Sequence, residues 1–389
     1  MQENYKPIGD FIRVVNQRNK DLSVKQLIGL SIDKCYIPSV ANVIGTDLST
    51  YKIIKRKQFA CSLMQVSRDE KIPIACMTEY DEAIMSPAYV IFEIIDESLL
   101  LPEYLDMWVM RAEFDREASF LAVGGVRGSL AWDDFCRMKL PVPTIEEQNR
   151  VVKAYKTITE RIELKKRIND NLEATAQAVF QELFGSYYGD ADLPEGWRFD
   201  KLENLCTIKG GKRLPADCEL LDTPTNHPYI RVRDVGNGRF VCLTNQFQYI
   251  DDETHSAISR YIVNEGDVVI SIVGTIGLIG KVHRSLDKAN LTENCVKLTD
   301  VHSITSDYLY YTLCYKKQTK EIELLTVGAV QAKLPMYNIQ AMKTLVPPKS
   351  VIEDFQRKID VFNSQIEANT VEIQRLFELQ EVLLAKLSD

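Results

Sequence analysis

The sequence has no run of about 18 apolar residues, so no membrane-spanning helix is expected. Its start, MQENYKPIGDF, lacks the apolar core of a secretory signal. Nine cysteines are scattered with no CxxC pair. That excludes the usual zinc-ribbon and dithiol motifs and points to a reducing, cytoplasmic setting. The four histidines, His227, His255, His283 and His302, show no metal-ligand spacing. SIVGTIGLIGKV carries glycines ahead of Lys281, but Val282 follows where a phosphate loop needs Ser or Thr. A tight hairpin or a loop in a β domain is the better reading. SPAY, Ser86 to Tyr89, misses the second proline of an adenine-methyltransferase loop and reads as a strand start. No glycine-rich loop for a methyl-donor nucleotide opens a helix after a strand. The catalytic site of residues is therefore expected to be none. Net charge is −8, which argues mildly against nucleic acid, although total charge does not locate the charges.

What the chain does have is a repeat. VGGVRGSLAWDDF, Val123 to Phe135, is echoed by VGAVQAKLPMYNI, Val327 to Ile339, 204 residues on. PEYLDMW (Pro102 to Trp108) matches SDYLYYT (Ser306 to Thr312) at the same offset. IIKRKQFACS (Ile53 to Ser62) parallels IVNEGDVVIS (Ile262 to Ser271), and IGDFIRV parallels LENLCTI. A repeat this long means two copies of a domain, not a solenoid. Within each copy, AYVIFEI, DVVISIV and FVCL read as strands, punctuated by Gly- and Asn-rich turns.

Each copy ends in a Pro-rich turn, PVPT or LVPP, followed by a long segment without proline. In the second, Ile352, Phe355, Ile359, Phe362, Ile366, Asn369, Ile373, Leu376, Gln380, Leu383 and Leu387 alternate by three and four. In the first, Val151, Tyr155, Ile158, Ile162, Lys165, Asn169, Leu172, Ala176, Val179 and Leu183 do the same. Both are coiled-coil seams. An antiparallel pairing brings Lys165 and Asn169 against Asn369 in a shared polar layer; the alternative is that these residues face solvent. Two helix registers stay open: the offset of 204, or three more to align IEEQNR with IEDFQR.

The expected fold is α+β: two similar mixed α/β domains separated by a pair of long antiparallel helices, a pseudo-two-fold tandem repeat. Such a pair of domains suits duplex DNA with two half-sites. Candidate phosphate or base contacts in copy one are Lys52, Lys55, Arg56, Lys57, Arg68, Lys71 and Arg127. In copy two they are Lys212, Arg213, Arg231, Arg233, Arg239, Arg260, Lys281, Arg284 and Gln331, with Asn237, Asn245 and Gln246 as further base readers. The plainer alternative for each is a solvated surface charge, and for KIIKRK an ordinary strand end.

These pieces together resemble the specificity subunit of type I restriction-modification systems. The resemblance rests on GLSIDKCYIPSVANVIGTDLSTYKIIKRKQFA, IMSPAYVIFEI, WRFDKLENLCTIKGGKR, PYIRVRDV, EGDVVISIVGTIGLIGKV, NLTENCVKL and the two Pro-rich turns. It implies target recognition domains at 1–144 and 191–349, a central spacer helix at 145–190 and a C-terminal one at 350–389. It implies a non-catalytic subunit that reads a bipartite double-stranded DNA site, the helices setting the gap. The implied partners are two modification (methyltransferase) subunits, with restriction (translocase-endonuclease) subunits joining in some systems. Cofactors would lie outside this chain: S-adenosylmethionine in the modification subunit, ATP and Mg in the restriction subunit. Where the family has EEQ in the second turn, this chain has EDF, with Phe355 at the place of Gln148. That puts the equivalence of the two docking surfaces in question. Alternatives are a specificity factor of a methylation-only defence system, a stand-alone DNA methyltransferase, or a structural coiled-coil dimer.

Overall fold

The computed structural model describes residues 5–39, 45–122, 128–188, 192–236, 238–244, 246–328 and 332–388. They form two compact units: Met1–Arg161 with Phe377–Asp389, and Ile162–Leu376. The class is α+β, as expected.

Unit 1 holds β1 (Tyr5–Pro7), β2 (Ile12–Val15), β3 (Ile28–Leu30), β4 (Tyr36–Pro38), β5 (Lys52–Lys55), β6 (Phe59–Cys61), β7 (Ile74–Cys76), β8 (Glu82–Met85), β9 (Val90–Ile94) and β10 (Lys139–Pro141). Its helices are α1 (Val66–Asp69), α2 (Pro102–Val109), α3 (Ala112–Leu121) and α4 (Trp132–Arg137). Helix α5 (Ile145–Phe184) gives residues to both units. The main sheet has the order β2-β9-β6-β7. FAC, the β6 sequence, is buried along its whole length, as an inner strand covered on both faces should be; IAC, on the edge strand β7, is buried as well. Phe59 and Phe92 stack at 5.1 Å in the core. α2 begins with Pro102, whose missing N–H costs nothing in the first turn.

Unit 2 holds β11 (Arg198–Lys201), β12 (Thr207–Gly210), β13 (His227–Ile230), β14 (Phe240–Val241), β15 (Tyr249–Ile250), β16 (Val268–Ser271), β17 (Ile279–Val282), β18 (Asn290–Leu291), β19 (Cys295–Thr299) and β20 (Lys343–Val346). Its helices are α6 (Asp252–Ile258), α7 (Ser306–Gln318), α8 (Glu321–Leu324) and α9 (Met336–Gln340), with most of α10 (Lys349–Ala385). The main sheet runs β12-β19-β16-β17-β14. That is the unit 1 order with one added edge strand. Thr305 caps α7, its hydroxyl accepting from the Tyr308 N–H at 3.1 Å.

The duplication is thus present in hydrogen bonds as well as letters. The Ile8 N–H donates to Met138 O, and the Leu202 N–H to Met342 O. Leu130 N–H donates to Leu63 O, and Leu334 N–H to Ile272 O. α2 and α7, α4 and α9, and α5 and α10 begin 204 residues apart. The start of the long helices therefore keeps the register without the three-residue shift. SPAY differs from the expectation: it is the turn joining β8 to β9, and β9 begins only at Val90. SIVGTIGLIGKV is the expected hairpin, β16 pairing antiparallel with β17.

The helix partners are antiparallel within each unit. In unit 2, Asn369 Nδ2 donates to Asn169 Oδ1 at 2.8 Å. Lys165 Nζ reaches Asn369 Oδ1 at 2.8 Å and Glu372 at 2.9 Å. Further along, Phe180 and Phe184 meet Phe355. The polar layer exists, so these seam residues do not simply face solvent. In unit 1, Gln380 Nε2 donates to Thr159 Oγ1 at 2.7 Å, and Leu384 and Leu387 join the core with Val151 and Tyr155.

Candidate nucleic-acid interface

In unit 2, β13 and β18 run parallel, with Ile230 opposite Leu291. Both strands end at the same edge. There the KGGKR segment folds over: the Lys212 N–H donates to Leu291 O at 2.8 Å. Gly211 is required at this point. A Cβ there would lie 2.3 Å from Leu291 O and 2.1 Å from Thr292 O. The glycine lets the chain turn close against β18, and so places Lys212 and Arg213 beside the strand end.

This edge gathers several sequence-chosen residues. Arg213 is exposed and pairs with Glu293 at 2.6 Å. Arg231 is half-buried and pairs with Asp234 at 3.1 Å, also donating to Gln248. Arg233 is exposed, 3.8 Å from Asp234, and donates to Gln246 O at 3.4 Å. Lys212 sits over the Tyr261 ring, 5.8 Å from its centroid, next to the exposed Arg260. Lys212, Arg213, Arg231, Arg233 and Arg260 are thus brought to one neighbourhood with Gln246. Carboxylates already lean on three of these cations, which explains how a chain of net negative charge carries such a patch.

Three other residues in unit 2 go elsewhere. Arg239 has a fully buried side chain and does not present its charge to solvent. Its guanidinium meets Asp307 at 2.5 Å and Glu173 at 3.6 Å, donates to Tyr311 and lies over the Tyr310 ring. Lys281 reaches the same Asp307 at 2.6 Å. Gln356 and Asn363 of α10 donate to the other Asp307 oxygen at 2.6 and 2.9 Å. Burial alone would raise the Asp307 carboxyl, but Lys281 and Arg239 outweigh it and hold it below the ordinary range. This hub joins α5, α7, α10 and the β14–β17 edge. A single Asp inside SDYLYYT gave no sign of it in the sequence; only packing shows that it is buried. Arg284 is exposed, 3.7 Å from Glu367 of α10. His283, directly after β17, is buried, and burial lowers its pKa.

In unit 1, Lys52 and Lys55 lie on β5, while Arg56 and Lys57 form the turn into β6. Lys57 has φ +69, and Gly266 at the matching place in unit 2 has φ +81. KIIKRK is therefore a strand and its turn, as the plainer reading held. Arg56 pairs with Asp81 at 3.0 Å and Lys57 with Glu97 at 2.6 Å. Arg68 pairs with Asp69 at 2.7 Å and Lys71 stands 3.8 Å from Asp33. Lys55 is exposed. These residues are spread over β5, the following turn and the α1 region, and form no single patch. Arg127, Gln331, Asn237 and Asn245 lie outside the described residues.

Gln148 was expected to mark a docking surface. It is fully buried instead. Its amide accepts from the Leu101 N–H at 2.9 Å and donates to Leu99 O at 2.9 Å and Pro143 O at 3.0 Å. It clamps the first turn of α5 to the entry of α2. In unit 2 the α7 entry is held by Gln356, which accepts from Thr305 Oγ1 at 2.7 Å. Phe355 fills an aromatic cluster with Phe180, Phe184 and Tyr308. Among the described residues there is no group of three or more His, Cys, Asp or Glu able to hold a metal ion.

Each of the two units is a β-sheet fold carrying part of the two long helices, and the second repeats the sheet order of the first. Residues 194–383 match the type I restriction modification DNA specificity domain. The HindI specificity subunit of Haemophilus influenzae is 20% identical over 379 residues, covering 79% of this chain and 81% of its own. The MjaIX specificity subunit of Methanocaldococcus jannaschii is 21% identical over 314 residues, covering 76% and 70%. The S subunit of a type I restriction-modification system from M. genitalium, a crystal structure, shares the fold with a TM-score of 0.51 at 14% identity, over 98% of this chain and 95% of that one. The chain is thus similar, at about a fifth of its residues, to type I restriction enzyme specificity subunits, and its second half matches their DNA specificity domain.

Proposed function

We propose that this chain is the DNA-recognition subunit of a type I restriction-modification complex, each unit reading one half of a bipartite site. The observation that supports this best is the repeated frame with unlike surfaces. The sheet order and the matching main-chain hydrogen bonds recur, while the side chains at the strand ends differ, as with Lys52 in unit 1 and Tyr261 at its place in unit 2. Two different half-sites on one scaffold call for that division. On this reading the unit 2 edge with Lys212, Arg213, Arg231, Arg233 and Arg260 faces DNA, and Lys55 does so in unit 1. Arg239 and Lys281 hold the fold. Phosphate contacts would supply most of the affinity and make it salt-dependent.

The chain itself carries no chemistry on this reading. It works in the cytoplasm with two modification subunits, whose S-adenosylmethionine methylates adenine at N6, and with ATP- and Mg-dependent restriction subunits where these exist. Long-read mapping of N6-methyladenine, in cells with and without the chain, tests this. A split motif methylated on both strands and lost on deletion is the expected result. An unchanged methylation pattern on deletion would overturn it.

A further inference from the structure

One cationic contact in unit 1 differs from the others. Arg18 and Lys52 face each other as an isolated antiparallel β-bridge. Hydrogen bonds flank them, Ile53 N–H to Gln17 O at 2.8 Å and Asn19 N–H to Tyr51 O at 3.0 Å. That makes them a non-hydrogen-bonded pair, the arrangement in which opposed side chains approach most closely. Like charges directly opposite each other destabilise a strand pair, yet no carboxylate pairs with either among the described residues. Arg18 donates to Thr50 O at 2.5 Å and Lys52 to Tyr89 O at 2.6 Å. Both cations are held by neutral main-chain oxygens. Arg56, Lys57, Arg68, Arg213 and Arg231, by contrast, each have an acidic partner.

The repeat gives this pair a counterpart. Counted from the matching turns at Ile8–Asp10 and Leu202–Asn204, Arg18 falls at Lys212. Counted from the matching Ile53 and Ile262 segments, Lys52 falls at Tyr261. Lys212 and Tyr261 are themselves in contact. The same two positions therefore touch in both units, and in unit 2 they belong to the basic strand-end patch. Asn16 and Gln17, immediately before Arg18, are exposed.

We propose that Arg18 and Lys52 form the phosphate-contact point of unit 1, gripping the backbone of duplex DNA, with Asn16 and Gln17 beside it as the nearest base-reading amides. A phosphodiester would remove the like-charge repulsion that the fold otherwise leaves in place. This rests on the DNA-reading function proposed above.

The test measures binding of the full-length chain to a labelled duplex of about 40 base pairs across a salt series. In R18Q/K52Q the slope of log K against log salt should become shallower by about 1 to 2, roughly 0.9 per lost phosphate contact. R18K/K52R should keep the slope. R56Q/K57Q, which removes two cations already paired with acids, should change it little. Equal melting temperatures show that the variants fold. Inorganic phosphate at matched ionic strength should not displace the duplex, which separates a DNA groove from a small-anion site; displacement by phosphate alone would overturn the proposal. So would wild-type binding with an unchanged slope in R18Q/K52Q, and the DNA-reading function would survive that result. No duplex binding by the wild-type chain at low salt would instead remove the DNA reading, and this inference with it.

Discussion

Unit 1 and unit 2 solve one problem in two ways. Each must fix a sheet-bearing domain onto long helices. Unit 1 does so with an uncharged amide, Gln148, whose three hydrogen bonds all go to main chain. Unit 2 uses charge: Asp307 gathers Arg239, Lys281, Gln356 and Asn363 around one carboxylate. The backbone frame is copied faithfully while the polar joint has been replaced. Duplicated domains can therefore diverge not only where they meet their targets but also where they are fastened, provided the buried polar groups stay satisfied.

The sharpest way to break this comparison is to neutralise the charged joint. Asp307→Asn leaves Arg239 buried without its closest counter-charge, and removal of one partner of a buried pair costs about 3–5 kcal/mol. Unit 2 amides should lose hydrogen-exchange protection by that amount, while unit 1 amides change little. Equal loss in both units would show that they do not behave as separate joints.

A smaller effect is expected in unit 1. Gln148→Leu keeps bulk but orphans the Leu101 N–H and the Leu99 and Pro143 carbonyls. The cost should be about 1–3 kcal/mol, read as faster exchange around α2 with unit 2 protection retained.

Acidity offers a gentler contrast. Desolvation raises the Asp106 carboxyl in unit 1 to about 6, although the Cys76 N–H donates to it. A carboxyl raised in the fold favours the protonated native state. Its contribution to stability is full below the ordinary value of 3.8 and is lost as pH rises through 6. Asp307 is lowered, so its contribution is present above 3.8 and is lost as pH falls below that. Between pH 6 and 4, Asp106 should therefore make unit 1 more protected as pH falls, with no such gain from Asp307 in unit 2. Exchange at the Cys76 amide, corrected for intrinsic pH dependence, follows the first effect. Asp106→Asn should abolish it.

Much of the frame was legible in the sequence because backbone geometry repeats with fixed spacing. The offset between Val123 and Val327 carries over to the starts of α2 and α7, α4 and α9, and the long helices. The seams were legible because apolar residues recur by three and four, and the polar layer at Asn169 and Asn369 because polar residues interrupt them. The joints were not legible. Gln148 looks like a surface glutamine and Arg239 like one more basic residue in YIRVRDVGNGR; only burial separates them from their neighbours. Charge clusters misled for the same reason. KIIKRK is dense in cations, but two of them are matched by Asp81 and Glu97, distant in sequence. Arg18 and Lys52, 34 residues apart, become a pair only when the strands meet.

The central claim is that each unit reads its own half of a split DNA site. Replacing residues 1–144 by the corresponding segment of a specificity subunit with a different target tests it most directly, with N6-methyladenine mapped in cells carrying the hybrid and the native methyltransferase. The account predicts a methylated motif in which one half is new and the other is kept. A motif in which both halves change, or neither does, would contradict it.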